Sequence, residues 1–323
     1  MKLYPLKFSS LFFYRIWGGE KLKTVLNKNY NENSIGESWE ISDIDESETM
    51  VAEGALKGKT LKQLIHTFKG DFVGNKVYDV FGKNFPLLIK FIDAKTPLSI
   101  QVHPSNALAK ERHNSFGKNE MWYVMQAESD AELIVGFNQK VKRESYINYL
   151  DNSALMDILN IEKVTKGDTF NIPTGRVHAI GAGVLLAEIQ QTSNLTYRIY
   201  DYDRLDSKTG EKRELHTDLA LDAIDFEFYN NYKTTYNCKA NRSNKLVHSS
   251  YFKTNIISVK GVLEKNYANL DSFVIYMCVE GNGKMECNNK VYNIGIGETI
   301  LLPACIEQVK IEAKSAILLE IYL

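Results

Sequence analysis

The sequence predicts a mainly β protein with helical insertions, organised as two β-barrel domains. Short β-prone runs separated by Gly and Asn turns make up most of the chain, above all beyond residue 250. Helix signals are few and locally concentrated, and one turn-and-strand pattern occurs once in each half. A length of 323 residues also exceeds one typical domain, so two domains are expected.

The helical insertions are marked by amphipathic periodicity. In the best-defined one, Thr60 and Gln63 form a capping box, apolar residues follow at helical spacing, and Gly70 ends the segment. Three further segments show apolar positions recurring at three and four, namely "VYDVF" (77–81), residues 142–160 and "ELHTDLALDAIDF" (214–226).

A domain boundary is predicted near residue 240. Residues 229–250 are rich in Asn, Lys, Ser and Thr and show little periodicity, which is typical of a connecting segment. The sequence therefore divides into domains 1–240 and 241–323. The second carries no convincing helix pattern and is predicted to be all β.

The stretch "PLSIQVHP" (97–104) places polar side chains on one face of a predicted strand. Side chains alternate along a strand, so Ser99, Gln101 and His103 share a side. The preceding run, residues 85–94, is apolar enough to be buried on both faces. We therefore expect the three polar groups to point into the protein.

The repeated pattern identifies the type of barrel. Residues 167–173 and 297–303 each place a glycine six residues before a proline, and His178 and Gln308 follow five residues later. The first copy resembles the second motif of the cupins, in which a turn directs a histidine into a jelly-roll barrel. The second copy has Cys305 for the motif glycine and Gln308 for the histidine, so it predicts a cupin-like barrel without that metal ligand.

A metal site is predicted in the first barrel. Gln101 and His103 stand where the first cupin motif has its His-x-His pair, Glu120 supplies a carboxylate, and His178 completes the set. One amide, two imidazoles and one carboxylate suit one borderline divalent ion per chain, with zinc as first choice and iron, manganese and cobalt as alternatives. A closed structural zinc site or a set of buried hydrogen-bonded polar groups are the other interpretations.

The segment between His103 and Glu120 is long for a cupin motif. Residues 104–119 have a helical middle and are predicted to form a loop or lid over the barrel mouth. In the strand that follows, Lys118, Glu120 and Trp122 share one face, so a cation, a carboxylate and an aromatic ring should point together into the barrel.

The chain resembles the short bacterial form of the type I mannose-6-phosphate isomerases (phosphomannose isomerases) over most of its length. That resemblance implies a catalytic N-terminal barrel that interconverts mannose 6-phosphate and fructose 6-phosphate. It also implies that Gln101, His103, Glu120 and His178 are zinc ligands and that Arg198 is the catalytic arginine. The motifs that carry it are "YRIWGGEKL", "IGESWEISD", "FPLLIKFIDAKTPLSIQVHP", "GKNEMWYV", "IPTGRVHAIGAGVLLAEIQQTSNLTYRIYDYDR" and "RELHTDLALDAI".

The implied reaction moves a proton from C2 to C1 through an enediolate. Arg198 is always protonated and is therefore assigned to stabilising the negative charge of the enediolate. Glu188 is the favoured general base, because a partly desolvated carboxylate can have its pKa raised toward neutrality. Asp201 and Asp203 are alternatives, as are His103 and a metal-bound water. Glu188 could instead orient a ligand, and the aspartates could form ion pairs with Arg204.

Substrate-binding residues are proposed from the same strands. Ser99, Lys118 and Lys90 are candidates for holding the phosphate, which positions the sugar without reacting. For Lys90, a salt bridge with Asp93 is an equal alternative. Trp39 is a candidate wall of the sugar pocket, although a buried core tryptophan is at least as well supported.

Composition limits the partners. With 39 basic and 40 acidic residues, the chain has no net charge that would attract nucleic acid or a membrane, and no DNA-binding helix pattern occurs. A small phosphorylated sugar is the expected partner, and the choice between monomer and homodimer stays open.

The expected location is the cytoplasm of the cell, as a soluble protein. Arg15 interrupts the apolar N-terminal run, no signal cleavage site follows it, and no apolar stretch reaches the roughly 18 residues of a membrane span. The four cysteines lack metal-binding spacing and are interpreted as reduced structural thiols.

Two alternative functions fit the sequence less well than the isomerase does. A cupin oxygenase would favour histidines and iron, and Gln101 with the cationic pocket argues against it. A regulator that binds a sugar phosphate without turnover is disfavoured by the intact metal and arginine positions.

Overall fold

The computed structural model describes residues 2–323, which form mainly antiparallel strands joined by short helices. The strands of the N-terminal part are β1 (Phe8–Ser9), β2 (Leu11–Gly19), β3 (Ile35–Ile41), β4 (Asp43–Ile44), β5 (Ser47–Glu48), β6 (Met50–Val51), β7 (Leu87–Ala94), β8 (Ile100–Val102), β9 (Glu120–Ala127), β10 (Glu132–Phe137), β11 (Leu159–Lys163), β12 (Thr169–Ile172), β13 (His178–Ile180), β14 (Val184–Gln191) and β15 (Tyr197–Tyr200). Those of the C-terminal part are β16 (Asn244–His248), β17 (Lys253–Asn266), β18 (Val274–Cys287), β19 (Lys290–Gly295), β20 (Thr299–Leu302) and β21 (Gln308–Tyr322). The helices are α1 (Lys21–Thr24), α2 (Leu61–Phe68), α3 (Gly70–Val73), α4 (Asn75–Phe81), α5 (Asn106–His113), α6 (Arg143–Asp151) and α7 (Thr217–Ala223), with a 3₁₀ turn at Leu155–Ile158.

The first barrel consists of two sheets. A six-stranded sheet has the order β12-β9-β14-β7-β2-β3, and a five-stranded sheet has the order β11-β10-β13-β8-β15. Residues from both sheets, among them Trp122 and Leu186 of the larger and Leu133 and Ile180 of the smaller, share one buried apolar cluster. The mainly β class with helical insertions is thus confirmed.

Strand β7 shows why the larger sheet is so apolar. Every residue from Leu87 to Ala94 is buried, as the sequence predicted. Leu87, Ile89 and Phe91 pack outward in a cluster that also contains side chains of α2, α3 and the second barrel, while Ile92 faces the interior of the first barrel. Both faces of this sheet are therefore covered by protein.

The second barrel is formed by β16 to β21, in the order β16-β17-β21-β18-β19 with β20 paired to β18. The two repeat copies have equivalent structures. Gly167 and Gly297 both have positive φ, at 94° and 80°, and lead into β12 and β20. His178 is buried at the start of β13, whereas Gln308 is exposed at the start of β21.

The two barrels are in direct contact. The Leu6 backbone exchanges two 2.8 Å hydrogen bonds with Leu301, and the rings of Phe85 and Phe273 lie 4.6 Å apart. An irregular stretch leads into β16 at Asn244, so the end of the predicted linker is a strand. The boundary between residues 240 and 241 stays a prediction.

The predicted helices are found, with corrected ends. The capping box of Thr60 and Gln63 is present at the start of α2, which ends at Phe68, and Gly70 begins the next helix. The predicted helix over 142–160 stops at Asp151, because Ser153 turns the chain with a φ of 58°. The rest of that segment forms the 3₁₀ turn and β11.

The four cysteines are free, and Cys278 and Cys287 are buried. Within residues 2–323, no helix is long and apolar enough to cross a membrane.

A buried carboxylate ties the start of the second barrel to its last strand. Glu320 accepts hydrogen bonds from Ser243 (2.6 Å), Asn255 (2.8 Å) and Tyr267 (2.5 Å), and the Lys265 ammonium lies 2.8 Å away. Burial alone would raise the pKa of Glu320, but Lys265 and the hydrogen bonds outweigh it and lower the pKa. Its stabilisation is therefore complete above the ordinary pKa of glutamate and is lost as the pH falls through the folded value.

We predict that Glu320→Gln lowers the free energy of unfolding by about 2 kcal/mol at pH 7, because hydrogen bonds to a buried charge are lost. Urea denaturation would measure this as a lower midpoint. The control is Glu286→Gln, whose exposed pair with Lys310 at 3.6 Å should contribute less than about 1 kcal/mol. Equal losses in the two variants would contradict a special role for Glu320.

Candidate active site

Three predicted metal ligands meet inside the first barrel. One ligand atom each from His103, Glu120 and His178 lies within 4.8 Å of the others, and all three residues are buried. Nε2 of His103 is 3.4 Å from Glu120 Oε2, and Nε2 of His178 is 3.5 Å from Glu120 Oε1. They come from the end of β8, the start of β9 and the start of β13.

Backbone carbonyls orient both imidazoles. Nδ1 of His103 is 2.9 Å from the Leu195 carbonyl, and Nδ1 of His178 is 2.8 Å from the Arg176 carbonyl. Since a carbonyl only accepts, each Nδ1 carries the proton, and each Nε2 keeps its lone pair toward the cluster. Glu120 Oε1, although buried, has no hydrogen-bond partner in the described chain. These features fit a metal ion.

The electrostatics favour the protonation states that metal ligands need. Burial, followed by the positive charge of Lys118, lowers the pKa of His103 to about 3, and burial also lowers that of His178. Burial would raise the pKa of Glu120, but the positive charge of Lys118 holds it well below the usual value. Two neutral imidazoles therefore face one carboxylate.

Gln101, the fourth predicted ligand, lies next to the cluster. It is paired in register with His178 across β8 and β13, and its Nε2 lies 3.3 Å from His178 Nε2. Its Oε1 is 3.4 Å from the Ser99 hydroxyl. A half-turn of the amide would exchange these two atoms and point Oε1, the atom that can bind a metal, at the cluster.

A cavity of about 420 Å³ opens beside this cluster. Gln101 and Lys118, which contact the cluster, form part of its wall, and most of the other lining groups are polar or charged. The lining residues are Tyr14, Arg15, Ile16, Trp17, Glu37, Lys90, Ile92, Leu98, Ser99, Gln101, Lys118, Trp122, Ile180, Glu188, Asn194, Thr196, Arg198, Asp206 and Arg213.

Glu188 lies in this wall, in a row of side chains that crosses three strands. The register pairs Glu188 with Trp122 on one side and Lys90 on the other. Its Oε2 accepts a 3.0 Å hydrogen bond from Trp122 Nε1, while Oε1 lies 3.3 Å from Lys90 and 3.8 Å from Lys118 without a well-formed hydrogen bond. Burial, and then the negative charge of Glu120, raise its pKa.

Arg198 lies next to Gln101 in the register of β15 and β8. Its Nη1 donates a 2.7 Å hydrogen bond to the Glu214 carbonyl, and its buried Nε has no partner among the described residues. Its guanidinium faces the same cavity as Glu188. Glu188, the candidate general base, and Arg198, a fixed positive charge, therefore line one cavity next to a potential metal site.

Comparison with known proteins identifies the family. The model for the catalytic domain of type I phosphomannose isomerase matches residues 6–140, and that for the cupin domain of mannose-6-phosphate isomerase matches residues 242–321. Mannose-6-phosphate isomerase ManA of Bacillus subtilis is 33% identical over 311 residues, covering 95% of this chain and 96% of that protein. The chain belongs to the type I phosphomannose isomerase family.

One further relative and one solved structure agree. The mannose-6-phosphate isomerase of Streptococcus mutans is 32% identical over 305 residues, covering 94% of this chain and 93% of that protein. The crystal structure of the mannose 6-phosphate isomerase from Bacillus subtilis superposes with a TM-score of 0.90 at 31% identity, covering 99% of each chain. The family, the isomerase class and the cupin fold predicted from the sequence are thereby confirmed.

The structure differs from two expectations that the sequence raised about the pocket, the first of which concerns Lys90. Lys90 does not pair with Asp93, because residues three apart on a strand point to opposite faces. Lys90 instead lies near Glu188 and Glu37, while Asp93 accepts a 2.6 Å hydrogen bond from the Lys21 backbone.

Trp39 does not line the cavity as a pocket wall. It is 1% exposed, donates a 2.6 Å hydrogen bond to Glu37, and lies under the Lys90 ammonium, 5.0 Å from the ring centroid. Trp17 and Trp122 form the aromatic wall. Trp39 is therefore a buried core tryptophan, which was the alternative interpretation of the sequence.

The rival bases are engaged elsewhere. Asp201 is buried between Arg204 and Arg213, at 2.5 and 2.6 Å, and Asp203 pairs with Lys212 at 2.7 Å. Neither aspartate lines the cavity.

Sequence reasoning missed several cavity residues. Arg15 binds Glu37 through two hydrogen bonds of 2.9 and 3.0 Å, and burial of Glu37 is outweighed by Lys90 and Arg15, which lower its pKa to about 2. Arg213 also faces the cavity. Both arginines lie in motifs on which the family resemblance rests, Arg15 in "YRIWGGEKL" and Arg213 in "RELHTDLALDAI". Their presence in these motifs was the signal that could have identified them as site residues.

We predict that His178→Ala weakens metal binding by more than about 100-fold, since losing a ligand should exceed the 10- to 100-fold effect of losing an outer partner. Elemental analysis after loading with zinc and dialysis would measure it, with circular dichroism to check the fold. His66→Ala is the control, because His66 is exposed on α2. Equal metal content in both variants would exclude His178 as a ligand.

Proposed function

We propose that this chain interconverts mannose 6-phosphate and fructose 6-phosphate, using one zinc ion held by Gln101, His103, Glu120 and His178. The observation that carries the proposal is the buried cluster of His103, Glu120 and His178 beside a cavity that also presents Glu188 and Arg198. Membership of the phosphomannose isomerase family supports the choice of substrate.

The donor set supports the choice of metal. Two neutral imidazoles and a carboxylate are typical of catalytic zinc, and the amide oxygen of Gln101 would be the fourth protein ligand. When bound, the ion would polarise the oxygens on C1 and C2 and so make the C2 proton more acidic.

Glu188 is proposed as the general base. It would take the proton from C2 of the open-chain sugar and return it to C1, so that one carboxylate serves both steps. Its Oε1 is the oxygen available for this transfer, because Oε2 is occupied by Trp122. Its raised pKa brings it closer to the pH at which a base exchanges protons in both directions.

Arg198 is proposed to stabilise the enediolate formed between the two proton transfers. An arginine stays protonated, so it supplies a fixed positive charge and does not compete for the moving proton. Its position next to Gln101 places that charge beside the metal site.

The remaining cavity residues are proposed to bind the sugar. Ser99, Lys118 and Lys90 line the cavity and are positioned to bind hydroxyl groups. Trp39 would not touch the sugar but would hold Lys90 and Glu37 in position, through its ring and its indole N–H respectively. The named relatives give no support to the oxygenase or to a regulator without turnover, and the cytoplasmic location stays a prediction.

We predict that the purified chain converts mannose 6-phosphate to fructose 6-phosphate, that chelation with EDTA abolishes turnover, and that zinc restores it. The assay would couple fructose 6-phosphate to a dehydrogenase readout. Reconstitution with iron, manganese and cobalt in parallel would rank the metals. A chain that binds metal but does not turn over would contradict the proposed function.

We predict that Glu188→Gln lowers kcat by about 10²- to 10⁴-fold while metal content and KM change little. A base acts only when deprotonated, so kcat/KM of the wild type should rise with pH through the raised pKa of Glu188, and the variant should lack this rise. Glu128→Gln is the control, because Glu128 is an exposed glutamate paired with Lys21. A variant with wild-type kcat would remove Glu188 as the base.

A further inference from the structure

The positive charges next to the metal cluster are already matched by carboxylates. Lys118 pairs with Glu120, and Lys90 lies 3.3 Å from Glu188 and 3.7 Å from Glu37. Both lysines are only 4% exposed. A dianionic phosphate placed there would have to compete with buried carboxylates for these ammonium groups, which is unfavourable.

The positive charge of Arg15 is also matched by a carboxylate, that of Glu37. Its Nε and Nη2 donate to the two oxygens of Glu37, and its Nη1 donates to the Tyr14 carbonyl at 3.1 Å. All three nitrogens of this guanidinium are therefore occupied.

The wall formed by Arg198 and Arg213 is different. Arg213 directs Nε and Nη2 to Asp201, at 2.8 and 2.6 Å, and its Nη1 donates no hydrogen bond within the described chain. Asp201 also binds Arg204, so one carboxylate is shared by two guanidinium groups. Arg198 forms no ion pair among the described residues, and its Nε is unpartnered.

The two cavity arginines are close enough to repel each other. Burial lowers the pKa of Arg198, and the positive charge of Arg213 lowers it further. The nearby acids are otherwise engaged: Asp206 accepts from the Lys208 backbone at 2.8 Å and from Tyr14, and the exposed Glu214 carboxylate lies toward His216, 3.8 Å away. An anion between the arginines would relieve this repulsion.

We propose that Arg213 is the phosphate-binding residue of this isomerase, holding the 6-phosphate against the wall that it forms with Arg198. The proposal rests on the proposed function and assigns its phosphate contact to this wall instead of to Lys90 and Lys118. A guanidinium that is already held by a carboxylate through two nitrogens presents its third toward a phosphate oxygen with little further loss of freedom. Asp201 is then a positioning residue.

The placement suits the shape of the substrate. In the open-chain sugar, the phosphate on C6 is at the opposite end from the reacting C1 and C2. The register gives the sequence His178, Gln101, Arg198 across β13, β8 and the edge strand β15. The segment that carries Arg213 runs beside β15, since the His216 backbone donates a 2.7 Å hydrogen bond to the Arg198 carbonyl and Arg213 binds Asp201 just after the strand. Asn194 and Thr196 also line the cavity and supply neutral hydrogen-bonding groups.

The test compares wild type, Arg213→Gln, Arg213→Lys and the control Lys212→Gln. Lys212 is the neighbouring cation, it pairs with Asp203, and it does not line the cavity. The measurements are kcat, KM for mannose 6-phosphate, the inhibition constant of inorganic phosphate, metal content and the melting temperature. Arg204 remains on Asp201 in the Gln variant, so the buried carboxylate keeps a partner.

Arg213→Gln should raise both KM and the inhibition constant of phosphate by about 10- to 100-fold, the loss typical of one charge-assisted contact, with a smaller change in kcat. Arg213→Lys should recover part of the loss, and Lys212→Gln should match the wild type. A folded, metal-loaded Gln variant with both constants within about twofold of wild type would overturn the proposal. If the Gln variant is unstable, unchanged constants in Arg213→Lys and a wild type insensitive to phosphate would overturn it.

Failure of the proposed function would give a different result. In that case the wild type would not convert mannose 6-phosphate at all. The inhibition constants apply only to an active wild type, so turnover is measured first.

Discussion

Charge balance inside the first barrel is the constraint on which the site depends. The interior buries Glu37, Glu120 and Glu188, and removing such groups from water is costly unless each has a partner of opposite charge. Lys90 and Lys118 supply two partners and Arg15 supplies the third. The interior is therefore close to neutral before any ion or substrate binds, and a divalent ion would leave it positive, ready for an anionic substrate and an enediolate.

Strand register converts this balance into geometry. Glu188 is set between Trp122 and Lys90 by the pairing of β14 with its two neighbours, and a slip of β14 by one residue would turn Glu188 out of the barrel. The outward-facing residues of the same strands prevent that slip, because Ile89 and Phe91 pack in a cluster shared with the second barrel. The second barrel thus supports the wall that carries the proposed base.

Local patterns in the sequence predicted much of this and missed what depends on tertiary contacts. The glycine turn before His178, the capping box at Thr60 and the alternation around Gln101 are set by neighbours within a few residues, so the sequence displays them directly. The partner of Lys90 lies across the sheet, nearly one hundred residues away in the case of Glu188, and no local pattern reveals it. Arg213 was missed for the same reason: its loop returns to the cavity, where Arg213 binds Asp201, and no local pattern shows this contact.

The two carboxylates beside the cavity divide the chemistry because their surroundings differ. Glu120 touches Lys118, whose positive charge holds its pKa well below the usual value, so it stays ionised as a metal ligand would. Glu188 is equally buried, but its lysines stand farther off and Glu120 is a negative neighbour, so its pKa rises. Neighbouring acids whose pKa values are pushed in opposite directions are suited to different roles. A lysine that neutralised Glu188 as closely as Lys118 neutralises Glu120 would stabilise the barrel and remove the base.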